Sequence, residues 1–174
     1  FYWSVIQNIT DTWPPTQFIE VAKDDGQQIT GLKVLSDRLV VYKDRSIYNV
    51  FFTGDNDIPF IVSKSNSSVG CISSGSIQEL NNGHVFLSYD GLYFYDGSNS
   101  YKISDRITTT LNGYNTQRFN QSKSMVQRDK NRYWLSLPSA SATDNDKIII
   151  WDYFNNAFSV YEGISAAAMA TVYV

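Results

Sequence analysis

The sequence predicts an all-β fold, a β-propeller in which about three four-stranded antiparallel blades are visible. Aromatic residues make up 15% of the 174 residues, and Tyr and Phe dominate among them, a composition that favours strands over helices. Paired apolar runs recur every 46 to 48 residues, as in repeat architectures. A helical apolar pattern is limited to the region of Ile107–Leu111, so we expect helix to be a minor component.

The repeat is clearest in the hairpins at the centre of each unit. Their first strands begin at Leu39, Val85 and Tyr133, which are 46 and 48 residues apart. The predicted strand pairs are Leu39–Lys43 with Ser46–Val50, Val85–Tyr89 with Leu92–Tyr95, and Tyr133–Leu137 with Lys147–Trp151. Asp90-Gly91 is the strongest turn signal, because a type I′ turn needs positive φ, which Gly adopts without a Cβ clash.

Each hairpin gains one strand on either side. The predicted outer strands are 60–63, 101–104 and 157–161, and the predicted inner strands are 32–35, 76–80 and 124–127. Four strands in a unit of this length are typical of a propeller blade. We therefore divide the chain into a strand plus connecting loop (1–31), three blades (32–66, 69–111 and 120–163) and the start of a further blade (164–174).

Three blades cannot close a ring, because propellers have about four blades or more. The chain also begins and ends in strand-like runs, residues 1–6 and 170–174, whereas natural termini are usually polar. We therefore expect a fragment of a larger propeller. An antiparallel sandwich or barrel with similar strand spacing is the alternative.

The charge, apolar runs and cysteine content of the chain argue against some classes of binding partner and cross-link. The net charge of −3 comes without a basic patch carrying interleaved aromatics, which argues against tight nucleic-acid binding. No apolar run approaches 18 residues, so no membrane span is expected. A single cysteine excludes an intrachain disulfide.

His84 and Cys71 are the candidates for acid–base or nucleophilic chemistry. His84 is the only histidine, which excludes a site with several His ligands. It is either a lone acid or base or, as we favour, a polar residue that enters a strand. Cys71 lacks a partner base unless it meets His84 in space, and its neighbours indicate a small buried residue.

Acidic residues offer further candidates. Asp24-Asp25-Gly26, Asp55-Asn56-Asp57 and Asp144-Asn145-Asp146 could give oxygen ligands to Ca²⁺, but Asx turns explain them more simply. Asp90 and Asp96 could form a glycosidase pair, yet each is followed by Gly and indicates a turn.

The four tryptophans are the remaining candidates for ligand binding. Trp3, Trp13, Trp134 and Trp151 could stack on sugars, although three of them lie in apolar runs that favour core packing. The sequence therefore predicts no catalytic, metal-binding or cofactor-binding residue, no cofactor and no enzymatic activity.

The order of these motifs resembles the propeller of tail nozzle or tail-hub proteins of tailed bacteriophages, including those called tubular tail or DNA-stabilisation proteins. The resemblance covers residues 2–111 and rests on turns and aromatics: Trp3-Ser4, Trp13, Asp24-Asp25-Gly26, Ile29-Thr30-Gly31-Leu32, the run from Leu39 to Tyr48, Val69-Gly70-Cys71, and the run from Val85 to Gly97. No catalytic motif belongs to it.

The resemblance implies a structural protein of the virion tail. It would form a homo-oligomeric ring in the DNA-ejection conduit and contact portal, adaptor or other tail proteins, and DNA would pass nearby without sequence-specific binding. A carbohydrate-binding or glycan-processing propeller is the alternative, and it would need carboxylates and aromatics along one rim. A Kelch or WD interaction propeller is a third hypothesis, but Trp151-Asp152 is the single match to its signatures.

Overall fold

The structure, a computed structural model, describes residues 2–4 and 13–170 and consists mainly of antiparallel strands. Sheet 1 contains β1 (Ile29–Leu35), β2 (Arg38–Lys43), β3 (Ile47–Phe52) and β4 (Phe60–Lys64). Sheet 2 contains β5 (Gln78–Leu80), β6 (Gly83–Ser88), β7 (Gly91–Tyr95) and β8 (Ser100–Lys102). Sheet 3 contains β9 (Lys123–Gln127), β10 (Arg132–Leu137), β11 (Lys147–Asp152) and β12 (Ala157–Glu162).

Within every sheet the strands pair in sequence order, and every pair is antiparallel. Strand polarity therefore alternates, and side chains of successive residues point to opposite faces. The predicted all-β class and the three four-stranded antiparallel units are confirmed. Among the described residues, helix is limited to one short α-helix, α1 (Thr108–Asn112), and four short 3₁₀ segments. The α-helix lies close to Ile107–Leu111, where the sequence predicts helix.

The three sheets stack face to face, with sheet 2 in the middle. One apolar cluster joins the facing sides of sheets 1 and 2 and contains, among others, Tyr42, Ile47, Phe86 and Tyr95. A larger cluster joins sheets 2 and 3, with Leu87, Leu135, Ile149 and Trp151 among its members. Both faces of sheet 2 are thus covered, which explains why β6 is a continuous buried run rather than an alternating one.

The segments that connect the sheets lie between them and add side chains to both clusters. Cys71 and Ile77, from the connection after β4, pack between sheets 1 and 2. Leu111 and Phe119, from the connection after β8, pack between sheets 2 and 3. Gly70 shows how close this packing is, because a Cβ there would collide with the backbone of the β2–β3 turn.

The turns differ from the prediction in one detail. The predicted type I′ turn at Asp90-Gly91 is wrong: Ser88 pairs with Gly91, so the loop residues are Tyr89 and Asp90, and Gly91 begins β7. Gly91 does have a positive φ of 147°. The tight turns between the first two strands of sheets 1 and 2 instead place Ser36 and Asn81 at φ of 53° and 49°, a conformation that Asn tolerates better than most residues.

The predictions for the two ends of the chain are tested only where the structure describes the residues. Phe1, Val5 and Ile6 of the expected first strand lie outside the described residues, and Tyr2 makes a single bridge to Phe18. The predicted connecting loop 1–31 ends earlier than expected, because β1 begins at Ile29. Residues 164–170 form no strand, and 171–174, where a further strand was expected, also lie outside the described residues.

Candidate functional site

His84 lies fully buried on β6, between sheets 1 and 2. Its Nε2 is 2.9 Å from the carbonyl oxygen of Val34, and its Nδ1 is 2.9 Å from the hydroxyl of Tyr42. Because a carbonyl oxygen can only accept, Nε2 carries the proton and donates to it, and Tyr42 donates to Nδ1. Burial lowers the pKa of His84, with a smaller contribution from Lys33. The imidazole is therefore a neutral link between two sheets.

A second polar link crosses the same interface and was not predicted from the sequence. Asn49 on β3 donates through Nδ2 to the hydroxyl of Tyr95 on β7, at 2.9 Å, and to the carbonyl of Gly97, at 3.0 Å. The Tyr95 hydroxyl in turn lies 2.8 Å from the Gly97 carbonyl. Asn49 interrupts an otherwise apolar strand and is buried, which is the signal that could have identified it.

Cys71 is buried, as the sequence predicts. Its Sγ lies 3.1 Å from the carbonyl of Ser73 and 3.7 Å from the hydroxyl of Ser76. Burial raises the pKa of the Cys71 thiol to about 12, so the thiol stays protonated at neutral pH. A nucleophilic cysteine needs the opposite, a pKa lowered by a neighbouring base or cation.

Asp25 is the one member of the first acidic group with a clear structural partner. Both of its carboxylate oxygens lie 2.9 Å from Nζ of Lys43, which is buried at the end of β2. The same Nζ donates to the carbonyl of Ala22 at 2.8 Å. The hydrogen bond from Lys43 lowers the pKa of Asp25. This ion pair fastens the segment before β1 to sheet 1.

Carboxylates of the other two acidic groups accept backbone N–H groups within loops. Asp55 accepts the backbone N–H of Asp57 at 2.7 Å, and Asp146 accepts the N–H of Ser139 at 2.6 Å. The predicted Asx-turn role is thus confirmed for Asp55. No group of three or more His, Cys, Asp or Glu residues in the described part of the chain is arranged to hold a metal ion.

Asp90 and Asp96 lie at opposite ends of β7 and each has local partners. Asp90 accepts from the Tyr93 hydroxyl at 2.9 Å and from Nζ of Lys102 at 3.0 Å. Asp96 accepts the N–H groups of Ser98 and Asn99, both at 2.8 Å. Burial opposes ionisation of each, but these donors outweigh it and lower both pKa values. A general acid needs a raised pKa, and the two carboxylates are separated by the length of β7, so they do not form a glycosidase pair.

The four tryptophans do not share a surface. Trp151 on β11 is buried against sheet 2, and its indole N–H lies 3.1 Å from Oδ1 of Asn156. Trp134 faces the other side of sheet 3 and stacks on Tyr161 at 6.2 Å between ring centroids. Trp13 is exposed. Trp3 lies outside the named strands, against the edge of Phe60, so the expectation that three tryptophans sit in strands is wrong.

The outer face of sheet 1, the side turned away from sheet 2, is largely apolar, with Lys43 and Lys64 beside Tyr48 at one end. We define it by Leu32, Val34, Leu39, Val41, Tyr48, Val50, Phe52, Phe60 and Val62, which the strand register places on one side. Val21, from the segment before β1, packs on its centre with Val41, Tyr48 and Val50. Leu32 and Phe52 stay 55% and 66% exposed. Beside Leu32, a cleft of about 360 Å³ opens between β1 and the segment that contains Phe18.

The outer face of sheet 3 is more polar. We define it by Met125, Arg132, Trp134, Ser136, Ile148, Ile150, Asp152, Ser159 and Tyr161, again from the register. Ile148 and Ile150 are buried, whereas Tyr161 is 49% exposed. The segment after β12 touches this sheet where Ser136 donates to the carbonyl of Ala166 at 3.1 Å.

Comparisons with known proteins add no relative. The family models that were searched include none that matches the chain, and the curated proteins include no match. Among the described residues, no helix has the length and apolar character needed to cross a membrane.

Proposed function

We propose that the chain is a structural segment of a β-propeller in the tail of a bacteriophage virion, where it acts as a rigid platform rather than as an enzyme. The proposal combines the resemblance over residues 2–111 with the stacked four-stranded sheets. In the tail nozzle or hub, such a domain would form part of a homo-oligomeric ring around the DNA conduit and contact portal, adaptor or other tail proteins. DNA would pass without sequence-specific contacts, which suits a net charge of −3.

The main support for a structural role is the set of contacts made by buried polar residues within the strands. Two buried polar side chains within strands, His84 and Asn49, bind groups of the neighbouring sheet and not an open cavity. Satisfied buried networks of this kind rigidify a packed interface. The chemistry-bearing side chains are thus used to hold sheets together, which favours a scaffold.

Carbohydrate binding is the weaker alternative. Carbohydrate binding would be favoured by exposed aromatic residues on one rim of the stacked sheets. Two exposed aromatic residues in turns are Tyr89, in the β6–β7 turn, and Phe154, in the β11–β12 turn. Because strands alternate in direction, the turn between a sheet's second and third strands and the turn between its third and fourth strands lie at opposite ends of that sheet. These aromatics therefore do not form one platform.

Immunogold electron microscopy tests the proposal. An antibody raised against the purified chain is applied to tailed phage particles from the source that encodes it, with pre-absorbed antibody as the control. We expect gold confined to the tail. The same purified chain is screened on a glycan array, where we expect no binding. Labelling of cells but not of particles, or glycan binding that Tyr89→Ala abolishes, would contradict a structural virion role.

A further inference from the structure

A polar cleft lies between sheet 1 and the β7–β8 turn of sheet 2. Its volume is about 240 Å³, and its walls include Arg38, Asn49, Phe51, Ser65, Gly97 and Ser98. These residues lie in sheets 1 and 2 or at the ends of their strands. The walls of the cleft are therefore formed without the outer face of either sheet 1 or sheet 3.

Arg38 is the cation that faces this cleft. It stands four residues before Tyr42 on β2, so both side chains point from sheet 1 toward sheet 2. The guanidinium lies over the ring of Phe51, 4.8 Å from the ring centroid, and its Nε donates to Asp37 at 3.0 Å. The side chain of Arg38 is only 27% exposed. The stacking and the hydrogen bond together hold the guanidinium in one orientation.

The two Nη atoms of Arg38 have no acceptor within the part of the chain that the structure describes, where Asp37 is the hydrogen-bond partner of the guanidinium. Nη1 lies near Gly97, since a Cβ on that glycine would be 3.5 Å from it. The Gly97 carbonyl already accepts from Asn49 at 3.0 Å and from Tyr95 at 2.8 Å, which uses both of its lone pairs. A half-buried guanidinium with unused N–H donors therefore faces the cleft.

The charges around the cleft favour a ligand with a single negative charge. Asp37 balances part of the charge of Arg38, and Asp96 lies in the β7–β8 turn. The register places Lys64 on the outer face of sheet 1, away from the cleft. A phosphate dianion would thus meet two carboxylates and one arginine. A carboxylate carries one charge, and its planar pair of oxygens matches the two Nη donors.

We propose that this cleft binds a carboxylate group, with the two Nη atoms of Arg38 each donating to one carboxylate oxygen. The hydroxyls of Ser65 and Ser98 line the same space, and a hydroxyl can donate a further hydrogen bond to a bound oxygen. The ligand is therefore a small organic acid or a molecule that carries one such group. A cleft that bound nothing would leave the proposed virion role untouched, so the two proposals fail separately.

An NMR titration of the isotope-labelled chain with sodium acetate, at an ionic strength held constant with sodium chloride, is the test. We expect saturable shifts of the backbone N–H of Ser98 and the side-chain amide of Asn49, with a Kd on the order of 10 mM. Inorganic phosphate should bind more weakly. Shifts that do not saturate, or that sodium chloride alone reproduces, would overturn the inference. Tighter binding of phosphate than of acetate would overturn the assignment to a carboxylate.

Variants of Arg38 test whether the guanidinium is the binding group. Arg38→Gln should weaken acetate binding more than about tenfold, because the charged donors are lost. Arg38→Lys should also weaken it, since an ammonium cannot present two parallel donors. Arg45→Gln removes the same charge from the exposed β2–β3 turn, outside the cleft, and is the matched control that should bind acetate as the wild type does.

Circular dichroism of each variant separates loss of binding from loss of fold, and Arg38→Lys keeps a cation over Phe51 if Arg38→Gln does not fold. Unchanged acetate binding in a folded Arg38 variant would overturn the inference. An equal loss of binding in Arg45→Gln would do the same, because it would show that acetate responds to the net charge of the chain and not to the cleft.

Discussion

The two sheet interfaces solve the same packing problem with different chemistry. Between sheets 1 and 2, apolar side chains surround two polar links, one through His84 and one through Asn49. Between sheets 2 and 3, the cluster is larger and mostly aliphatic, and its buried hydroxyl, that of Tyr133, donates to the carbonyl of Ser76 at 2.7 Å. Both are closely packed, so the difference lies in what fixes their alignment.

Apolar packing and directional hydrogen bonds contribute in different ways to holding two sheets together and to fixing their relative position. Apolar burial is non-directional and scales with area, so the apolar cluster between sheets 2 and 3 does not by itself fix their alignment. Bonds from side chains to backbone carbonyls add direction there, from Gln78 to Ser124 at 3.0 Å and from Ser124 to Gly75 at 2.8 Å. The His84 and Asn49 links are directional, and a shift would leave buried donors and acceptors without partners at a cost of about 1–3 kcal/mol each. The first interface is therefore aligned by polar links between side chains of both sheets, and the second by a larger apolar cluster together with side-chain hydrogen bonds to backbone carbonyls.

Truncating one isoleucine in each interface gives the largest expected effect. Ile47 and Ile149 are both fully buried, one in each cluster. Replacement by Ala should lower the free energy of unfolding by about 2–5 kcal/mol in both cases. Ile149→Ala should lie near the upper end, because strands β10 and β12 flank it and limit collapse of the cavity, whereas Ile47 begins β3 beside a turn.

Urea unfolding followed by tryptophan fluorescence measures both values, at one fixed protein concentration since association would shift them. If Ile47→Ala proved much more costly than Ile149→Ala, the view that volume dominates the second interface would be wrong.

Removing one hydroxyl from each interface gives a smaller effect and compares the polar contacts directly. Tyr42→Phe leaves Nδ1 of the buried His84 without a donor and should cost about 1–3 kcal/mol. Tyr133→Phe removes one hydrogen bond to a backbone carbonyl, a group that tolerates partial satisfaction better, and should cost about 1 kcal/mol. The ring stays in place in both variants, so packing is matched. Equal costs in the same urea experiment would show that the two interfaces do not differ in directional bonding.

The sequence predicts the strands well and the polar links not at all. Apolar runs such as Val85–Leu87 and Ile148–Trp151 indicate strands because they are covered on both sides. Each of the twelve strands overlaps the run that the local pattern predicts, although bounds differ by up to three residues, as at the start of β1. The partners of His84 lie 42 and 50 residues away, beyond what a local pattern contains. A polar residue inside an apolar strand indicates that a partner exists, but only the stacking of the sheets identifies it.

The positions of the turns also show that a local sequence pattern does not contain the contacts made across strands. Asp90-Gly91 carries the favoured turn residues, yet the strand register places the loop one residue earlier. Gly83 begins β6, and glycine is required there because a Cβ would collide with Phe94. Cross-strand packing therefore decides what local turn propensity leaves open.

The smallest expected effect is a pH dependence that belongs to the first interface alone. His84 has a lowered pKa in the folded chain, whereas an unfolded histidine titrates near 6.5. The unfolded state therefore binds more protons in the window below about pH 6.5, and stability must rise with pH there. The free energy of unfolding should be fully retained above that value and should fall by up to about 1.4 kcal/mol per pH unit as the solution is acidified.

His84 is the only histidine, and the carboxylates with lowered pKa, such as Asp25 and Asp96, lose their contribution only near and below their unfolded pKa of about 3.9. Urea unfolding between pH 7 and 5 thus isolates the imidazole. His84→Gln should abolish the dependence of the unfolding free energy on pH. Tyr42→Phe should reduce it, because the neutral imidazole then lacks the hydrogen bond from Tyr42 that protonation would break. A slope that persists in His84→Gln would mean that another group titrates in this window, and the polar link would not be the acid-sensitive element of the interface.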